Sequence, residues 1–129
     1  MRWPSDVRSV TGATSAPAER ETTVPTPTDD RPDLLTVIAY MRAAPGKREA
    51  LRKALEALIQ PTSQEDGYVN YDLHQSNEDP DRFFFYENWE SGEHLDAHLA
   101  APHLQEFAAR IPELLDESGL TVNRVRRIA

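Results

Sequence analysis

Apolar and polar positions repeat with a period of two in some stretches of this chain and with a helical period in others. From Leu34 the chain runs LLTVIAYM, an apolar and partly β-branched stretch that predicts a first strand over Leu34–Met41. Leu51, Leu55 and Leu58 then recur at i, i+4 and i+7, widened by Ala54 and Ile59. Lys47, Arg48, Arg52, Lys53 and Glu56 take the opposite side, which predicts a helix laid leucine-side down on a sheet. Pro45 and Gly46 are expected to open that helix, because a proline in the first turn lacks an N–H that would be unpaired anyway. Pro61 is expected to end or kink it.

After the turn signal Asp66-Gly67, residues Val69, Tyr71 and Leu73 alternate with Tyr68, Asn70, Asp72 and His74, predicting a second strand. The polar loop Ser76–Asp81 leads, as a hairpin, into a third. There Phe83, Phe85, Glu87 and Trp89 share one face, and Arg82, Phe84, Tyr86 and Asn88 the other. Ser91 is placed to cap a helix with His94, Leu95, His98 and Leu99 on one side. Pro102 begins another helix, with Leu104, Phe107, Ala108 and Ile111 inward, and Pro112 and Gly119 punctuate its exit. LTVNRVRRI predicts a fourth strand. Its apolar positions slip out of alternation once, which predicts a bulge between Val122 and Val125.

The order strand, helix, strand, strand, helix, strand is the ferredoxin-like βαββαβ arrangement, an α+β fold with helices on one face of an antiparallel sheet. Both faces of the sheet carry apolar residues, so the face away from the helices needs a cover, and a sheet-on-sheet homodimer is the simplest one. Residues 34–129 are expected to form this one domain. Residues 1–33 hold five of the ten prolines, many serines and threonines, and hardly a large apolar residue beyond Trp3, so they read as a disordered tail.

Charge and composition narrow the function. A net charge of -8 and a pI near 4.9 argue against a nucleic-acid partner, which needs a concentrated basic face. The lack of cysteine excludes disulfides, a thiolate nucleophile and zinc held by sulfur. No signal sequence or membrane span is legible, so a cytoplasmic location is the default. No G-x-G-x-x-G loop supports a nucleotide or flavin bound that way.

Candidate chemistry gathers between Phe83 and Phe107. Four of the ten aromatic residues occupy Phe83–Tyr86, and three of the four histidines follow at His94, His98 and His103. Glu87 shares its face with Phe83, Phe85 and Trp89, and so requires a partner, a proton or water. Arg82 or Arg110 would make it a structural ion pair. His98 is the natural base, since imidazole titrates nearest neutral pH, with Glu87 orienting it or a substrate hydroxyl. Trp89 also reads as core packing. His94 and His98 have metal-compatible i, i+4 spacing, but a third ligand would have to converge, and no metal is expected.

The segments LLTVIAYMRAAPGKREAL, GYVNYDLHQS and FYENWESGEHLDAHLAAPH together resemble the antibiotic biosynthesis monooxygenase family, from Leu34 to about Ile111. Glu87, Trp89, His98 and His103 stand where that family's pattern has them. The resemblance implies a dimeric α/β barrel whose protomers each hold an aromatic pocket between sheet and helices. It implies oxidation of a quinol or polycyclic phenol by O2 with no metal, flavin or other cofactor. The catalytic residues expected are His98, Glu87 and Trp89; Phe83, Phe85, Tyr71, His94 and His103 are expected to line the pocket. Two alternatives stay open: a haem-degrading oxygenase of the same fold, and a non-enzymatic binder of an aromatic metabolite. In the haem-degrading relatives an asparagine on the first strand accompanies the tryptophan and histidine, and Leu34–Met41 contains none.

Overall fold

The computed structural model describes residues 33–129, so the expectation for the N-terminal tail falls, but for Asp33, outside the described residues. The elements run β1 (Leu35–Arg42), α1 (Arg48–Glu56), α2 (Ile59–Thr62), β2 (Tyr68–Gln75), β3 (Arg82–Trp89), α3 (Gly92–Ala100), α4 (Pro102–Leu114) and β4 (Thr121–Val125). The sheet order is β2-β3-β1-β4 and each neighbouring pair is antiparallel, the ferredoxin-like arrangement expected. Among the described residues the sheet is open at both edges.

Alternation decides which side chains meet the helices. Val37, Ala39 and Met41 of β1 and Phe83, Phe85, Glu87 and Trp89 of β3 are all buried on the inner face. Leu51, Leu55 and Leu58 descend onto them from the α1 side, with Leu95 from α3 and Leu104, Phe107 and Leu114 from α4. Burial of each such side chain contributes about 1.5–3 kcal/mol. On the outer face Thr36, Ile38 and Tyr40 stand opposite Asn88, Tyr86 and Phe84. Ile38 and Tyr86 remain 37% and 40% exposed there, a large share for an apolar and an aromatic side chain. Asn88 is buried among them, bonded to Thr36 Oγ1 and Asn70 Oδ1.

Three local expectations are corrected, and the fourth, a break at Pro61, is met. Pro45 and Gly46 do not enter α1 but occupy the corner of a turn closed by Lys47 N–H to Ala44 O at 2.9 Å, with Gly46 at φ 79°. Proline followed by a left-handed glycine is the type II turn signature. The break before Pro61 does occur, as α1 stops at Glu56 and α2 starts at Ile59, but proline then sits inside the short α2, where its missing N–H is again harmless. Pro112 does not end α4, which continues to Leu114; so near the end it removes one bond from a turn that is already finishing. β4 has no bulge: its pairing runs unbroken from Tyr40↔Thr121 to Thr36↔Val125. Val122 points inward and Val125 outward, because both faces of the sheet accept apolar side chains at this edge.

Candidate active site

The site grows from β3. Glu87 is 4% exposed, and its Oε1 accepts a 2.9 Å hydrogen bond from the Trp89 indole N–H two residues on, on the same face. Neither Arg82 nor Arg110 reaches it: Arg82 faces Asp79 and Arg110 faces Glu113. With one neutral donor and little water, burial pushes the Glu87 carboxyl up from 4.5 to about 7. The requirement for a partner or a proton is met by both in part.

His98 reaches the same region from α3. Ser91 caps this helix, accepting from the His94 backbone N–H at 3.2 Å, and fixes its angle to β3. The His98 ring lies 4.6 Å from Trp89 and 5.2 Å edge-on to Tyr71, which itself stacks at 4.1 Å on Phe85. Burial holds the imidazole in its neutral form, with the pKa pushed down from 6.5 to about 3. Tyr71 is buried too, and burial, followed by the charges of Glu87 and Glu65, raises its phenol well above 10, so it stays protonated.

The carboxylate against His98 is Glu65 rather than Glu87. Glu65 Oε2 lies 3.0 Å from His98 Nδ1 and 3.0 Å from His103 Nε2. His103 Nε2 also lies 3.0 Å from the hydroxyl of buried Thr62. Burial raises Glu65 to about 7 and lowers His103. Sequence reading missed Glu65. It lies in a polar turn with no periodicity, and only the fold brings it to a histidine 33 residues away.

A cavity of about 30 Å³ lies between the sheet and the helices. Its walls are apolar except for Tyr71, Glu87 and His98, with Phe85, Leu55 and Leu99 among the apolar side chains. An aromatic ring needs about 150 Å³, so the cavity as it stands is smaller than a ring.

Of the expected pocket residues, Tyr71 and Phe85 line this cavity. Phe83 does not. It is on the same face, but four residues along a strand is about 13 Å, and it borders a separate hollow with Arg52, Glu56 and Leu73. Trp89 stands behind the wall as the donor that holds Glu87. His94 turns away: its ring Nδ1 meets Ser91 Oγ at 2.8 Å, and its side chain packs over Gly67. His103 joins the Glu65 cluster and not the cavity wall. No helix among the described residues is long and apolar enough to cross a membrane.

Residues 34–110 match the profile of the family described as antibiotic biosynthesis monooxygenase. A Mycobacterium tuberculosis protein named "Putative monooxygenase Rv0793" is 40% identical over 81 residues, covering 63% of this chain and 79% of that one. The Escherichia coli K12 protein named "Probable quinol monooxygenase YgiN" is 30% identical over 88 residues, covering 60% and 85%. Among solved structures, PA3566 of Pseudomonas aeruginosa superposes with a TM-score of 0.70 at 35% identity, covering 75% of this chain and 96% of that one.

Proposed function

The chain belongs to the antibiotic biosynthesis monooxygenase family, and on that premise we propose that it is a cofactor-independent monooxygenase that hydroxylates a quinol or a related electron-rich phenol with O2. The observation that carries this reading is a buried carboxyl, Glu87, on the wall of an otherwise mostly apolar cavity, held by Trp89 and raised to about 7. A base of that strength is half-ionised at neutral pH, where general bases work best.

In this scheme Glu87 takes the proton of the substrate hydroxyl. The resulting quinolate is a strong electron donor in a dry site and gives one electron to O2. The radical pair joins to form a carbon–oxygen bond, and the carboxylic acid of Glu87 returns its proton to make the substrate hydroperoxide. That hydroperoxide loses its terminal OH together with the hydrogen on the same carbon, as water. The balance is quinol plus O2 to hydroxyquinone plus water. One oxygen atom stays in the product, and the substrate supplies every electron.

The role first assigned to His98 changes. An imidazole whose conjugate acid is held down to about 3 is a weak base, so His98 serves as a neutral hydrogen-bonding group that orients the substrate oxygen toward Glu87. Two copies of the chain are proposed to close over the outer sheet face, on the strength of its exposed Ile38 and Tyr86. The test is O2 uptake with a panel of one- and two-ring quinols. The parent is expected to turn over at least one, with kcat/KM rising through a midpoint near pH 7, and Glu87→Gln to be slower by about 10²–10⁴-fold. Saturable binding of quinols without O2 uptake would replace the enzyme by a binding protein.

A further inference from the structure

We propose that Glu65, His98 and His103 form a binding site for one divalent transition-metal ion of the zinc type. In the sequence only the spacing of His94 and His98 is compatible with a metal, and the fold builds a different set. His98 Nδ1 and His103 Nε2 approach the same carboxylate oxygen at 3.0 Å each, and one donor atom from each of the three residues lies within 4.8 Å of the others. An ion with bonds of about 2.0–2.2 Å holds neighbouring donors about 3 Å apart in octahedral geometry and about 3.4 Å apart in tetrahedral geometry. Both imidazole–carboxylate pairs therefore stand at the spacing of a coordination sphere, and the two imidazole nitrogens, within 4.8 Å of each other, close up as an ion binds.

The donor set selects the class of ion. Two imidazoles and one carboxylate suit zinc, iron(II), cobalt(II) or nickel(II), whereas magnesium and calcium take oxygen donors. The cluster also has a closed side and an open one: the His98 side chain is 2% exposed, while those of His103 and Glu65 are 21% and 17%. Water can complete the coordination from the open side, and the hydroxyl of buried Thr62, 3.0 Å from the same His103 Nε2, gives up that nitrogen when an ion binds. The three ligands come from the α2–β2 turn, α3 and α4, so an ion there ties together three segments that surround the cavity.

This site shares His98 with the proposed substrate pocket, but the proposed reaction draws every electron from the substrate and needs no ion. It is therefore tested by binding. Full-length protein freed of metal with EDTA is titrated with Zn²⁺ by calorimetry and with Co²⁺ by visible absorbance. One equivalent is expected to bind with Kd of about 1 µM or tighter. His103→Ala and Glu65→Gln, both at partly exposed positions and checked for fold by circular dichroism, should each weaken binding by at least about 100-fold. His94→Ala and His74→Ala should leave it unchanged, and residues 1–33 contain no histidine to compete. No binding at about 100 µM Zn²⁺, or unchanged affinity in folded His103→Ala, would overturn the site and leave Glu65 as a hydrogen-bond acceptor between two imidazoles.

Discussion

Replacing Glu87 by glutamine changes one buried atom and removes one titration, so its effect on stability follows from the carboxyl's environment. In the folded chain Glu87 titrates at about 7 against an ordinary value of 4.5. Between those two values the native state holds more protons than the unfolded state, so Glu87 makes stability fall as pH rises from about 4.5 to about 7. At about 1.36 kcal/mol per pH unit the full loss is about 3 kcal/mol above pH 7 and close to zero below pH 4.5. Glutamine keeps an oxygen to accept the Trp89 N–H and carries no charge. Glu87→Gln should therefore match the parent at pH 4.5 and exceed it by up to about 3 kcal/mol at pH 8, or about 2 M in the urea midpoint of a domain this size.

Only the difference between the two proteins isolates this effect. His98, lowered from 6.5 to about 3, acts with the opposite sign: its contribution is present above 6.5 and is lost as pH falls toward 3. The two act against each other in the parent where the windows overlap, and Glu65, raised like Glu87, adds a slope of the Glu87 sign. Urea melts of both proteins are compared at one protein concentration, in EDTA, at half-unit steps from pH 4.5 to 8. A difference that does not change with pH would mean that Glu87 titrates as an exposed carboxylate, and the proposed base would lose its basis.

Gly67→Ala should cost at least about 1–2 kcal/mol, because Gly67 has φ 77° and an added Cβ would lie 2.2 Å from His94 Cγ; a melt within a few tenths of a kcal/mol of the parent would refute this. Phe84→Asp, on the outer face against Tyr40, should shift sedimentation from dimer to monomer by placing an unpaired charge in the contact, while a variant that stays dimeric would put the interface elsewhere.

Much of this architecture is legible because it depends on local period. β3 reads correctly since its inward residues fall on every second position, and α1 since its leucines fall on one stripe. The Ser91 cap and the start of α4 at Pro102 are single-residue signals with a local cause. What escapes depends on distant parts of the chain. Glu65 gains its importance only when β2 and β3 pair and α3 and α4 fold back over them. The expected bulge in β4 came from requiring all its apolar residues to face one way, a rule that fails when both faces of a sheet are apolar. Phe83 was grouped with Glu87 by face alone, although a strand separates such residues along its length. Charge state is the least legible property: sequence shows an imidazole and a carboxyl in one region, and only the fold shows that burial lowers the pKa of His98 and raises that of Glu87.

The most direct measurement is turnover of a quinol under ¹⁸O2, with the product analysed by mass spectrometry. One ¹⁸O atom is expected in each hydroxyquinone formed, with the second in water, one O2 consumed per product, and the same rate whether or not EDTA is present. Oxidation of the quinol to the plain quinone with hydrogen peroxide released, and no ¹⁸O in the product, would contradict it.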